Sequence, residues 1–189
     1  IVIVGGGKVA TKRASTLIEY CDDVHIVSPN ISTTLKELLD NENITWSQKE
    51  FEPQDVEHAD LVVIATNNND VNTKVLESVP HHALCNHASK AQVGNVTIPS
   101  ILKRGKLSIS VSTNGASPKL NKKIISRISD MYDESYEMYI DFLYESRQLI
   151  KRLSIEPSRK QDLLQHILSD EYLDEVKQRE FTRWLHLQV

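Results

Sequence analysis

Disulfide and metal chemistry have little to work with in this chain. Its two cysteines, Cys21 and Cys85, form no C-x-x-C pair and fit no metal-ligand spacing. They are expected as buried or free thiols in a reducing compartment, which points to the cytoplasm. His81-His82 lacks a third ligand, so no metal site is expected. No apolar run approaches the length of a membrane span, and the opening apolar stretch is broken by glycine too early for a signal peptide. Ile1 is no initiator, so further residues are expected ahead of it. Internal repeats and low-complexity segments are absent as well. With 189 residues, 40% hydrophobic and 25% charged, the composition is that of a globular protein with one good core or two small ones.

The most informative absence is of acid in the middle of the chain. Positions 78 to 129 hold 8 basic residues and no Asp or Glu. Chance would place about seven of the carboxylates there. The flanking segments are acidic: 6 basic and 13 acidic residues in 1 to 77, then 8 basic and 13 acidic in 130 to 189. A cationic middle between anionic ends implies an anionic partner. Nucleic acid fits poorly, because the segment lacks aromatics for base stacking and the net charge is −4.

What the chain does have begins at once. Ile1-Val2-Ile3-Val4 reads as a buried strand, Gly5-Gly6-Gly7 as a turn, and Lys8-Val9-Ala10 as the start of a helix. This order builds a phosphate cradle. Gly5 makes the tight turn, Gly7 admits a pyrophosphate close to the backbone, and Ala10 lets helix pack on strand. The helix amino terminus then faces the anion. The bland alternative is a strand-to-helix turn without a ligand.

The first half alternates strand and helix, as a doubly wound parallel sheet requires. Strands are expected at Val24–Val27, Ile44–Trp46, Leu61–Ala65 and Leu84–Asn86; helices at Val9–Tyr20, around Leu35–Leu39, and at Asp70–Val79 with an Asn cap. Ligands in such folds sit at the carboxyl ends of the strands. Those ends are Gly5–Gly7, Ser28-Pro29-Asn30, Thr66–Asn69 and Asn86–Ser89; Thr66 and Asn67 are the expected cofactor positions of the third. A ribose-binding carboxylate is missing at the end of the second strand, where Ser28 and Asn30 are weaker partners, and no Arg waits for a 2′-phosphate. This leaves NAD against NADP open, with a lean to NAD.

Beyond residue 95 the pattern changes. Val96–Ile98 and Leu107–Ser112 read as strands with no helix between them, the second with one serine face. Asn114-Gly115 signals a turn, and Ser117-Pro118 a helix start. Met131 to Leu153 reads as one long amphipathic stretch rich in tyrosine, broken at Pro157, with further helices at Lys160–Leu168 and Val176–Leu187. The tail aromatics are expected in a core or a dimer contact. The expected parts are a Rossmann domain over 1–95, a β-rich region over 96–116 and a helical domain over 117–189. The open edge of Leu107–Ser112 favours a homodimer.

Four motifs in order, Gly5–Ala10, Ala65–Asp70, Cys85–Lys90 with Thr97–Ser100, and Val111–Pro118, resemble the precorrin-2 dehydrogenase family of siroheme synthesis. The resemblance spans essentially the whole chain, with the tail loosest. It implies homodimers with a Rossmann domain, a dimerisation region and a helical tail, and NAD-dependent oxidation of precorrin-2 to sirohydrochlorin. Some members also insert ferrous iron. Precorrin-2 is then the anionic partner, an eight-carboxylate tetrapyrrole. Lys90, Lys103, Arg104, Lys106, Lys119, Lys122, Lys123 and Arg127 suit it; the last four fall near one face of the helix opening at Pro118. An ordinary solvated basic face is the bland alternative. Lys90, Ser112, Thr113, Asn114, Gly115, Lys119 and Lys123 are the expected substrate positions.

His87 and Ser89 are the candidate catalytic positions. His87 is the nearest group able to accept a proton near neutral pH, although water would serve too. Bifunctional relatives look to have an aspartate where this chain has Ser89, and serine is a poor base or metal handler. The expected activity is dehydrogenation without much iron insertion. A bifunctional enzyme and a non-catalytic NAD-sensing module are the rivals.

Overall fold

The structure, a computed structural model, describes residues 1–41 and 44–188, which form two compact units: 1–98 with 114–116, and 99–113 with 117–188.

In the first unit, strands β1 (Val2–Val4), β2 (Val24–Val27), β3 (Ile44–Ser47), β4 (Leu61–Ile64) and β5 (Leu84–His87) form one parallel sheet in the order β3-β2-β1-β4-β5. That matches five strands of the dinucleotide-binding order 3-2-1-4-5-6, with the switch point between β1 and β4. Register places Ile3 opposite both Ile26 and Val63. Helices α1 (Lys8–Leu17), α2 (Thr33–Asn41) and α3 (Asn69–Ser78) connect the strands. Alternate residues feed opposite cores. Ile3, Ile26 and Val63 pack with Ala10, Ala14 and Leu35, whereas Val4, Val27, Val62 and Ile64 pack with Phe51, Val56 and Val75. Both sheet faces are thus covered, which is why β1 and β4 read as unbroken apolar runs. Each of these large side chains contributes about 1.5–3 kcal/mol on burial. Asn68 caps α3 through its Oδ1, which accepts from the N–H groups of Asp70 and Val71 at 2.9 and 3.2 Å.

The expected strand at Val96–Ile98 is not formed. Asn95 and Val96 instead donate their N–H groups to a single β5 carbonyl, that of Cys85, so no ladder propagates. Gly94 lies so close that a Cβ there would stand 2.3 Å from the same oxygen.

In the second unit, β6 (Ser100–Arg104), which the sequence pattern does not signal, pairs antiparallel with β7 (Leu107–Val111). Gly105, at φ +54°, opens the two-residue turn between them. Helix α4 (Pro118–Met131) begins as expected, with Ser117 Oγ accepting from the Leu120 N–H. The long helix expected over Met131–Leu153 is interrupted at Tyr132–Glu134 and resumes as α5 (Ser135–Arg152). Arg104 caps the break: its Nε donates to the Tyr132 carbonyl at 3.0 Å and its Nη2 to Ser129 Oγ at 2.9 Å, satisfying an oxygen left open where the helix ends. Asp133 accepts from the Ser135 hydroxyl and N–H, which hold its carboxyl below the usual range. Pro157 opens α6 (Pro157–His166), and α7 (Glu175–His186) follows. Tyr139, Phe142, Tyr172 and Leu185 form the helical core, with Tyr139 donating its hydroxyl to the Ile167 carbonyl.

Candidate functional site

The glycine turn is built by three different constraints. Gly5 has φ +128°, and a Cβ there would stand 2.4 Å from the Ala65 carbonyl oxygen. At Gly6 the Cβ would lie 2.0 Å from the Asn30 oxygen, so this glycine, given no separate role in the motif, is required by close packing of the β2 loop. At Gly7 a Cβ would meet nothing within 4 Å. That open space is where a close-approaching ligand group fits. No side chain caps α1 and no acid stands in its first turn, leaving its amino-terminal N–H groups for an anion. Ala10 is fully buried beneath, in the role expected of it.

These elements surround a cavity of about 570 Å³. Of the predicted cofactor positions, Gly5, Gly6, Gly7, Lys8, Val9, Ser28, Pro29, Asn30, Thr66 and Asn67 line it, and Ala10 alone does not. The size and the phosphate turn suit part of a dinucleotide. Ser28 donates its hydroxyl to the Asn30 carbonyl at 2.8 Å, so it holds the β2 turn in shape. Thr66 donates to Oδ1 of the buried Asn72 at 2.6 Å, fixing the loop after β4. Sequence reasoning missed Glu50, Phe51 and Val71 in the lining, whereas Asn68 belongs to the strand end expected there. The signal available was position: Glu50 and Phe51 follow β3, whose carboxyl end shares the ligand-binding edge of the sheet. The helical unit has two further grooves of about 540 and 690 Å³ beside α7, but neither contains a predicted site residue or a glycine turn.

At the end of β5, His87 stands opposite Ile64 of β4 and is only 4% exposed. Its Nδ1 lies 3.4 Å from Ser89 Oγ. Burial, and secondarily the charge of Lys90, hold the imidazole pKa below 6.5, so the ring is neutral at physiological pH. Cys85 is buried and its thiol pKa raised, as expected of an inert thiol. Asn86 donates to the Val96 carbonyl at 2.9 Å, while its buried Oδ1 has no partner among the described residues. None of His87, Ser89 and Lys90 lines the 570 Å³ cavity. Asn114 and Gly115 adopt φ +48° and +83°, forming the expected turn. It lies near the same loop, since a Cβ on Gly115 would come within 3.1 Å of Ala91 Cβ.

The other predicted substrate positions belong to the second unit. Thr113 Oγ1 accepts from the Ser117 N–H, bracing the start of α4, and Ser112 is exposed at the end of β7. Lys119 and Lys123 are exposed on α4 with Lys122 and Arg127. Arg104 is spent on the α4 terminus, and Lys106 on Asp141 and the Tyr144 ring. The four α4 cations have no ion pair among the described residues. Among those residues no three His, Cys, Asp or Glu side chains group as a metal site, and no helix is long and apolar enough to cross a membrane.

Comparison with known proteins adds a family. Residues 1–100 match a family model for NAD(P) binding, residues 104–128 that of the sirohaem biosynthesis protein central region, and residues 136–181 that of the SirC C-terminal domain. The precorrin-2 dehydrogenase of Priestia megaterium is 40% identical over 182 residues, covering 96% of this chain and 90% of that one. The precorrin-2 dehydrogenase of Bacillus subtilis (strain 168) is 34% identical over 148 residues, covering 78% and 91%. The solved structure of SirC, a precorrin-2 dehydrogenase, superposes with a TM-score of 0.84 at 38% identity, covering 98% of this chain and 92% of that one.

Proposed function

The chain belongs to the precorrin-2 dehydrogenase family, and we propose that it is an NAD-dependent oxidoreductase that removes a hydride and a proton from precorrin-2 to give sirohydrochlorin. The observation that carries this reading is the open space at Gly7, beside an uncapped helix amino terminus. It supports a pyrophosphate seat, with Gly5, Gly6, Lys8 and Val9 as its walls and Ser28, Pro29, Asn30, Thr66 and Asn67 around the rest of the cofactor. When bound, NAD supplies the hydride acceptor.

The protein's own contribution is mainly orientation. The exposed cations Lys119 and Lys123 of α4, without an ion pair among the described residues, hold substrate carboxylates, with Lys90, Ser112, Thr113, Asn114 and Gly115 completing the substrate site. His87, kept neutral by burial, takes the proton. Ser89 favours dehydrogenation without iron insertion, since a hydroxyl of ordinary acidity neither binds a proton nor holds a cation well. The active form is a homodimer. In its support, β6 and β7 each keep an outer edge free of ladder partners among the described residues, and α4, amphipathic along its length, has no buried residue. The free thiols of Cys21 and Cys85 support a reducing, cytoplasmic setting.

The test is spectroscopic. Protein, NAD and enzymatically generated precorrin-2 are mixed anaerobically, and NADH formation is followed with the sirohydrochlorin absorption. Ferrous or cobaltous ion is then added beside an enzyme-free control. NADH formation with an unaccelerated metal insertion is the expected result. Absence of NADH ends the dehydrogenase reading, and strong acceleration of insertion replaces it with the bifunctional one.

A further inference from the structure

The end of β2 lacks the carboxylate that dinucleotide sites of this topology place there, and the one hydroxyl present, on Ser28, is committed to the Asn30 carbonyl. The neighbouring strand supplies a substitute. β3 runs parallel beside β2, with Ser47 opposite Val27 and its carbonyl accepting from the Ser28 N–H. The chain leaving β3 therefore emerges next to the β2 turn, and three residues later Glu50 lines the cavity. Glu50 and Lys8 are the charged side chains of that lining. Lys8 stands at the phosphate turn, so the cavity carries one cation and one anion.

The backbone on both sides of Glu50 is held in place. Lys49 is turned to Glu52 and Asp55, at 2.6 and 2.7 Å, while Asp55 accepts the Glu52 N–H at 2.8 Å. Phe51 is 6% exposed in the sheet core, and its carbonyl accepts from Lys74 at 3.2 Å. The nearest lysine is thus consumed by the two following acids. Among the described residues Glu50 itself has neither hydrogen bond nor ion pair, although the segment that carries it is tied down. A carboxylate without a counter-ion among the described residues, carried on a tethered segment at the wall of a nucleotide cavity, accepts hydrogen bonds from ligand donors and repels ligand anions.

We propose that Glu50 is the specificity residue for the adenosine half of the cofactor. Its carboxylate accepts a hydrogen bond from an adenosine donor, either a ribose hydroxyl or the adenine amino group. It also excludes NADP, whose 2′-phosphate would bring further negative charge into the same cavity. This rests on the reading of the cavity as an NAD site.

Trp46 provides a local reporter, because its Nε1 donates to the Ser28 carbonyl at 2.9 Å. Dissociation constants for NAD, NADP and nicotinamide hypoxanthine dinucleotide are measured by tryptophan fluorescence, with calorimetry as a check, on the wild type, Glu50→Gln and Glu50→Ala. The expected result is NAD preferred in the wild type and a fall of about tenfold in that preference in both variants, mostly through tighter NADP binding. Equal sensitivity of NAD and the hypoxanthine analogue to Glu50→Gln assigns the contact to the ribose; insensitivity of the analogue alone assigns it to the adenine amino group. Constants for NAD and NADP within twofold of wild type in both variants would overturn the role of Glu50 while leaving the NAD site standing. A wild type that binds neither dinucleotide would overturn both. Glu50 is exposed, and unchanged thermal melts of the variants serve as the folding control.

Discussion

Asn95 Oδ1 accepts a 2.6 Å hydrogen bond from the backbone N–H of Cys85. The same side chain donates through Nδ2 to the Ala83 carbonyl at 3.2 Å, and the Asn95 N–H returns to the Cys85 oxygen. One residue therefore satisfies the Cys85 position of β5 on the side where no further strand pairs with it among the described residues. Two residues further along that strand is His87.

Asn95→Ala leaves the Cys85 N–H and the Ala83 carbonyl without the side-chain partner. It is expected to lower the unfolding free energy by about 1–3 kcal/mol, read from urea denaturation. The dinucleotide cavity does not include this loop, so NAD affinity should stay within about twofold. A wild-type denaturation midpoint would show that water replaces the side chain without loss.

Two adjacent glycines should behave oppositely. Gly6→Ala forces a Cβ to 2.0 Å from a backbone oxygen, which must move; a stability loss of about 1–3 kcal/mol is expected. Gly7→Ala has free space around it and should melt like the wild type. It should nevertheless lose about tenfold or more in NAD affinity, ~1.4 kcal/mol, because its methyl group occupies the ligand's place. Thermal melts and fluorescence titrations of both variants separate the two effects, and full NAD affinity in Gly7→Ala would refute the phosphate seat.

The pH dependence follows from His87. Burial lowers its pKa from 6.5, and the Lys90 charge lowers it further. As a base it is available above that lowered value, so the acid limb of kcat should lie below pH 6.5, with a plateau at neutral pH. Lys90→Ala removes the second cause and should move the limb upward. His87→Gln should abolish it. Folding stability should also fall as pH drops from 6.5 toward the lowered pKa, because the unfolded chain takes up the proton first. A kcat profile identical in His87→Gln would assign the proton to water.

On α4, Lys119→Glu and Lys123→Glu reverse charge on exposed side chains that make no ion pair among the described residues. Tetrapyrrole affinity should drop about tenfold or more for each, steeply dependent on salt, while NAD affinity and the melting temperature hold. Wild-type tetrapyrrole affinity in both variants would remove α4 from the substrate site.

The parallel sheet was legible because its signals are local. Apolar β-branched runs, glycines at fixed offsets and an asparagine cap each specify their own element, and β1, β2, β4 and α3 appear where those signals stand. The phosphate turn was legible for the same reason. The interruption at Tyr132 was not, because the group that satisfies its open carbonyl, Arg104, comes from 28 residues away, while the local periodicity runs on uninterrupted. The strand misplaced at Val96–Ile98 failed similarly. Its residues suit a strand, yet Cys85 takes the Asn95 and Val96 N–H groups onto one oxygen.

By itself the sequence determined the order of elements through β5 and the cationic character of the middle, since each follows from residue type and spacing along the chain; the family came from a resemblance of motifs. Tertiary structure alone decided which charges remain available. It spends Arg104 and Lys106 internally, leaves the α4 cations without an ion pair among the described residues, and sets Glu50 against a cavity whose other walls come from the ends of β1, β2 and β4 and from α1 and α3. Charge availability depends on which side chains meet in space, and that is written in no single stretch of the chain.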